Sequence, residues 1–172
     1  GYNHSSISVG LAKKGEMVAG FVYNPYVDEM YKAFKNEGAF LNNKPLKMMD
    51  KAVSEGIIAF GCARYNESKI DILFSTVKEL FLKSLSIRSG GSAAIDLSRI
   101  AKGANVIYIE LRLQPYDYAA ASIILEEAGG IITRIGGGKI SLVEPCSILA
   151  GTKKAHEEVM KIAKEKGYSS DF

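Results

Sequence analysis

The sequence predicts a mixed α/β protein, α+β overall, with an antiparallel-sheet lobe over residues 1–50 followed by an alternating β/α lobe over residues 51–172. Two patterns predict it. Ile7, Val9 and Leu11 alternate with small or polar neighbours, the period of two that a half-buried strand requires. Beyond residue 56, short apolar runs such as Ile57-Ile58-Ala59-Phe60 alternate with segments like Ile70, Leu73, Val77 and Leu80, whose spacing is helical.

Each element follows from local chemistry. Lys13-Lys14-Gly15 reads as a hairpin turn after the first strand, and Met17 to Tyr23 supplies the second. Asn24-Pro25 breaks that strand, Met30 to Phe34 returns as sheet, and Asn36-Glu37-Gly38 turns the chain again. Gly38 to Leu46 is expected as a short strand with an Asn42-Asn43 tip, and the polar stretch Met49 to Glu55 marks the boundary between the lobes. In the second lobe, strands are expected at Ile57–Phe60, Leu85–Ile87, Val106–Leu111, Ile131–Arg134 and Ser147–Ala150. Helices are expected from about Ser92 to Lys102, stopped by Gly103, and from Asp117 to Ala128, stopped by Gly129-Gly130. The second of these is apolar nearly all round and belongs between two layers. Lys154 to Lys166 places Ala155, Val159, Ile162 and Ala163 on one face of a final helix.

Composition narrows the function classes. With 172 residues, 47% of them hydrophobic, the chain can bury a substantial core. No apolar run approaches the roughly 20 residues that span a bilayer, and the first residues lack the plan of a secretory signal, so a cytoplasmic protein without a membrane partner is expected. A net charge of +3 from 22 basic and 19 acidic residues forms no basic stripe, which gives nucleic-acid polymers no support as partners. Cys62 and Cys146 are too few for a zinc site or a disulfide framework and read as reduced, buried thiols.

Chemistry concentrates between Arg88 and Gly130. Gly90-Gly91-Ser92-Ala93-Ala94 is a small-residue turn opening a helix, where free backbone N–H groups can meet an anion; Ser92 or Ser89 acting as an ordinary cap explains the same residues. It matches neither the G-x-x-x-x-G-K-[ST] nor the G-x-G-x-x-G phosphate motif. Glu110 interrupts an apolar strand, so it either faces water at a strand end or is held by a partner. Arg112, two residues on, is expected on the same face, able to neutralise Glu110 or to reach a second anionic group. Asp117 follows Pro115 at a helix start, as an N-cap bonding the N–H of Ala119 or Ala120, or as a ligand to a hard cation. Gln114, before the Pro115-Tyr116-Asp117 corner, reads as a surface amide or as a residue lining the pocket, and Arg88 as a loop anchor. His4 and His156 read as surface residues, and no Ser-His-Asp or Cys-His set can be assembled.

Tyr116-Asp117-Tyr118-Ala119-Ala120 leading to Glu127-Ala128-Gly129-Gly130 resembles the C-terminal signature of the inositol monophosphatase family, with Tyr116 in place of a Trp. Gly38-Ala39-Phe40 and the Gly91-Ser92-Ala93 turn are similar to further segments of that family, in the same order along essentially the entire chain. The resemblance implies a layered sugar-phosphatase-like fold, a magnesium-dependent phosphomonoesterase, a small phosphorylated substrate and a homodimer. It makes Asp117 a metal ligand and Gly91, Ser92, Ala93 and Glu110 substrate-binding residues; no catalytic residue is assigned. The family pattern more often has Gly near Arg112, and Arg112 in that place departs from inositol specificity. The resemblance allows inositol monophosphate, fructose 1,6-bisphosphate or a 3′(2′),5′-bisphosphate nucleotide as substrate. The family's Asp-Pro-Ile/Leu-Asp-Gly-Thr loop and the helical segment carrying a Glu ligand have no counterpart in this sequence, so the chain is expected to be the C-terminal portion of a longer enzyme and inactive alone. A non-catalytic binding or regulatory module is the alternative.

Overall fold

The computed structural model describes residues 3–63 and 67–168. Strands β1 (Ile7–Lys13), β2 (Glu16–Asn24), β3 (Glu29–Phe34), β4 (Gly38–Leu41) and β5 (Lys44–Leu46) form one antiparallel sheet in sequential order. Its hairpins turn where the backbone can enter the left-handed region, at Lys14 and Gly15 (φ 54° and 78°) and at Asn42 and Asn43 (φ 46° and 64°). Two-residue hairpin loops require this, and Gly and Asn tolerate it best. Residues 38–46, expected as one strand with a tip, are thus two paired strands.

A 3₁₀ turn at Val53–Glu55 leads to β6 (Ile57–Phe60), followed by α1 (Glu67–Lys83), β7 (Ser86–Arg88), α2 (Ala93–Ala101), β8 (Ile107–Leu113), α3 (Pro115–Glu127), β9 (Ile131–Thr133), β10 (Cys146–Gly151) and α4 (Lys153–Glu165). These strands form a second sheet in the order β7-β6-β8-β10-β9. β6 runs parallel to β7 and β8, and β10 runs antiparallel to both β8 and β9. The mixed α+β fold class is borne out.

Two cores give the layering. Val22, Tyr31, Ala33 and Ala39 of the first sheet meet Leu97 and Ile100 of α2, Ala120 and Ile124 of α3, and Tyr108, Ile148 and Ala150 of the second sheet. On the opposite face of that second sheet, Ile58, Ile107, Ile109 and Leu149 pack on Leu73, Val77 and Leu80 of α1 and on Val159 and Ile162 of α4. The order is sheet, α2 with α3, sheet, α1 with α4. α3 lies between the sheets with Tyr118 and the run Ala120 to Leu125 buried, as its all-round apolar composition predicts. It can approach the first sheet because Gly20 presents no side chain: a Cβ there would strike the Ala120 carbonyl oxygen and Ile123 Cγ2.

The packing corrects three expectations. His156 is buried rather than on the surface, its Nε2 2.8 Å from Thr133 Oγ1. It sits three residues before Val159 on α4, at the margin of the apolar face, and the helix is set close enough to the sheet to cover that margin. Cys62 is exposed, while Cys146 is buried as expected. Arg112 is exposed and does not share a face with Glu110. The physical reason is a β-bulge: Glu110 pairs with Ile148 and Leu113 with Cys146, so β8 advances three residues while β10 advances two. Beyond the extra residue the alternation is inverted, so Leu113 takes the inner side and Arg112 turns outward.

Candidate active site

A cavity of about 450 Å³ opens where the N-terminal segment meets the ends of the second sheet's strands and the N-termini of α2 and α3. His4, Ser6 and Ser8 form one wall, Gly61 and Cys62 after β6 another, Gly91 to Ala94 a third, and Tyr108, Glu110, Leu113, Tyr116 and Asp117 the remainder. All five residues singled out from the sequence, Gly91, Ser92, Ala93, Glu110 and Asp117, therefore border one space. Gln114 and Arg112 do not line it.

The α2 end of the cavity is built by two glycines with different duties. Gly91 has φ 85°, a left-handed conformation that a side chain would strain. Gly90 is required for space, because a Cβ there would come within 2.6 Å of Asp96 Oδ2 and 2.7 Å of His4 Nε2. Ser92 occupies the N-cap position but makes no side-chain cap bond, and its carbonyl accepts the Asp96 N–H at 2.9 Å. The hydroxyl is thus not consumed as a cap, and the N–H groups of the first helical turn have no intrahelical acceptor.

Glu110 is held by a partner, not solvated at a strand end. It is 8% exposed, and Tyr108, two residues earlier on the same face, donates its hydroxyl to Glu110 Oε2. Gly61 makes room for the pair, since a Cβ at that position would collide with both side chains. Cys62 follows at the mouth, and burial, then the neighbouring Glu110 charge, raises its thiol above the ordinary range.

Asp117 is not the helix N-cap. Pro115, with φ preset for helix, starts α3 two residues earlier than expected; Gln114 is the N-cap, and Asp117 stands at the third helical position. Its Oδ2 accepts the Gln114 N–H at 2.9 Å, reaching backward instead of forward to Ala119 or Ala120. That bond fixes the carboxylate at the cavity wall and occupies one oxygen. Among the described residues no three His, Cys, Asp or Glu side chains come close enough together to hold a metal ion.

Residues 1–168 match the inositol monophosphatase family. The chain belongs to that family. It is 33% identical over 169 residues to the fructose-1,6-bisphosphatase/inositol-1-monophosphatase of Aquifex aeolicus, covering 96% of this chain and 61% of the relative. It is 30% identical over 175 residues to the Nus factor SuhB of Vibrio cholerae, covering 99% and 64%. The crystal structure of inositol monophosphatase II from Staphylococcus aureus superposes with a TM-score of 0.83 at 33% identity, covering 94% of this chain and 60% of that one. The structural likeness confirms an inositol monophosphatase fold, and the chain spans about three-fifths of the length of these relatives.

Sequence reasoning missed His4, which reaches the cavity wall with its side chain 8% exposed and Nε2 3.8 Å from Asp96 Oδ1. Asp96 stands three residues before Arg99 on α2, a helical spacing that pairs the two, and the pair forms at 3.6 Å. The adjacent glycines were the available signal: Gly91 answers to backbone conformation, and Gly90 answers to the groups beneath it.

Proposed function

We propose that this chain is the substrate-binding part of a phosphomonoesterase that hydrolyses inositol monophosphate or a related sugar phosphate with magnesium. One observation carries the reading: the helix-opening turn at Gly91 to Ala93, Glu110 and Asp117 converge on one cavity. Backbone N–H groups at the start of α2 would receive the phosphate, helped by the positive end of the helix. Glu110, an acceptor when ionised, would take a substrate hydroxyl. Asp117 would offer its second carboxylate oxygen to magnesium. A hard cation needs about six oxygen ligands, and the described residues do not supply them, so the remainder would come from outside this chain or from the substrate and water.

The relative named fructose-1,6-bisphosphatase/inositol-1-monophosphatase supports the sugar-phosphate class without choosing between one phosphate and two. The exposed Arg112 removes the one residue that argued for a second anionic group, which favours a monophosphate over a sugar or nucleotide bisphosphate. A homodimer in the cytoplasm completes the reading, and sedimentation of the parent protein as a monomer would remove the dimer. The second reading is a non-catalytic binding module. It draws on the finding that, among the described residues, no three His, Cys, Asp or Glu side chains gather to hold a cation, and on the relative named as a Nus factor.

Asp117→Asn in the parent protein separates these readings. Asn keeps an acceptor for the Gln114 N–H but loses the charge a cation needs. The expected outcome is an intact fold with a large loss of phosphate release and a raised magnesium midpoint. Wild-type release with an unchanged midpoint would withdraw the metal role and favour the module.

A further inference from the structure

The groups under the anion-facing turn are themselves titratable. Asp96 lies in the first turn of α2 with its side chain 2% exposed, and His4 reaches it from the N-terminal segment. Gly90 lies directly over both, its missing Cβ leaving a space 2.6 to 2.7 Å from both Asp96 oxygens and from His4 Nε2. Among the described residues Asp96 Oδ2 has no well-formed hydrogen bond. The N-terminal segment and the turn that opens α2 thus meet at one carboxylate, beneath a glycine next to Gly91, which with Ser92 and Ala93 borders the cavity.

We propose that His4 and Asp96 form a proton-linked positioning pair beneath the turn, and that its charge sets how tightly the turn holds a dianion. This rests on the anion-binding role given to Gly91 to Ala93 above. An ionised Asp96 places a negative charge behind the donors that face the substrate, and in a partly buried site such a charge is weakly screened. Uptake of one proton by the pair removes that opposition. Arg99, from the same helix, is the cation facing Asp96, at 3.6 Å, and it is too exposed to cancel the charge fully. Glu110 from β8 and Asp117 from α3 are the other charged groups on the cavity wall. Burial raises the Asp96 carboxyl to about 6, against the pull of Arg99 and the Gly90 N–H, and burial with the Arg99 charge lowers the His4 imidazole. The raised Asp96 carboxyl brings proton uptake by the pair into the mildly acidic range.

Sulfate is the probe, because it stays a dianion between pH 5 and 8 and leaves the protein as the titrating partner. Its binding to the 172-residue chain is followed through the amide resonances of Gly91, Ser92 and Ala93. Affinity is expected to rise about tenfold from pH 8 to pH 5, the order expected for removing one charge a few ångströms behind the site. Asp96→Asn should bind with little pH dependence, near the tighter limit, since Asn keeps the shape and an acceptor for Gly90 without the charge. By reciprocity, saturating sulfate should move the pH midpoint of the His4 ring resonances in the wild-type chain upward by about one unit, a readout that survives if the variant fails to fold. The other histidine, His156, is buried against Thr133 in a different core and should not move. Sulfate binding that is flat with pH, an unmoved His4 midpoint, or the same pH dependence in Asp96→Asn would overturn the proposal while leaving the anion-binding turn standing. No sulfate binding at any pH would overturn the turn's assigned role and this inference with it.

Discussion

β1 and β10 are strands of similar composition with opposite fates. Every residue of β10 is buried, whereas in β1 Ile7, Val9 and Leu11 are 62%, 56% and 60% exposed. The difference lies in the layers around them. The second sheet has α2 and α3 on one face and α1 and α4 on the other, so both sets of alternating side chains leave water. The first sheet has helices on one face, where the small residues Gly10 and Gly20 admit α3; no described element covers the other. A strand's composition therefore says that it can be buried, and the number of covering layers says how much of it is. The cavity forms where these regions meet, with the N-terminal segment and β1 on one side and the sheathed sheet's loops on the other.

The largest effect that tests this contrast is Leu149→Ala on β10, fully buried between β8 and β9. It should lower unfolding free energy by about 2–5 kcal/mol, the range for a large core side chain. Leu11→Ala on β1 should cost well under about 1 kcal/mol, because most of its surface is already in water. Comparable losses for the two in urea titrations would mean that the open face of the first sheet is covered in solution.

Acid exposes a second contrast. Burial drops the His156 imidazole from 6.5 to about 4 in the folded state. The neutral ring thus contributes stability that is present above about pH 6.5 and lost as pH falls toward 4. Asp96 works in the opposite sense: with its carboxyl raised from 3.8 to about 6, it contributes stability below about pH 4 that is lost as pH rises through 6. Wild-type chain should lose about 1–3 kcal/mol through His156 between pH 7 and pH 4. His156→Gln should lose less, and the difference should persist in an Asp96→Asn background. An acid limb identical in both histidine backgrounds would place the sensitivity elsewhere.

The smallest effect is expected at Arg112. Facing solvent beyond the bulge, Arg112→Ala should change stability by no more than about 0.5 kcal/mol. In the parent protein it should change the use of a monophosphate and a bisphosphate equally. A selective loss on the bisphosphate would show that the side chain returns to the cavity when substrate binds.

The sequence by itself determined the order of the strands and helices, the hairpin turns at Gly15 and at Asn42-Asn43, and the central burial of α3. Gly91, Ser92, Ala93, Glu110 and Asp117 stood out as a helix-opening turn, an acid in an apolar strand and an acid at a helix start, and the family resemblance gave them their expected roles. Only the tertiary structure decided that Arg112 faces away from Glu110, since a bulge is set by the register of two strands paired across more than thirty residues of chain. It alone decided that Asp117 reaches back to Gln114, that Glu110 is held by Tyr108, and that His156 is buried. His4 and Asp96 stand far apart in the sequence and meet under Gly90 because the first sheet and α2 pack on the same core. Burial and pairing depend on which distant segments close over a residue, and no local pattern encodes that.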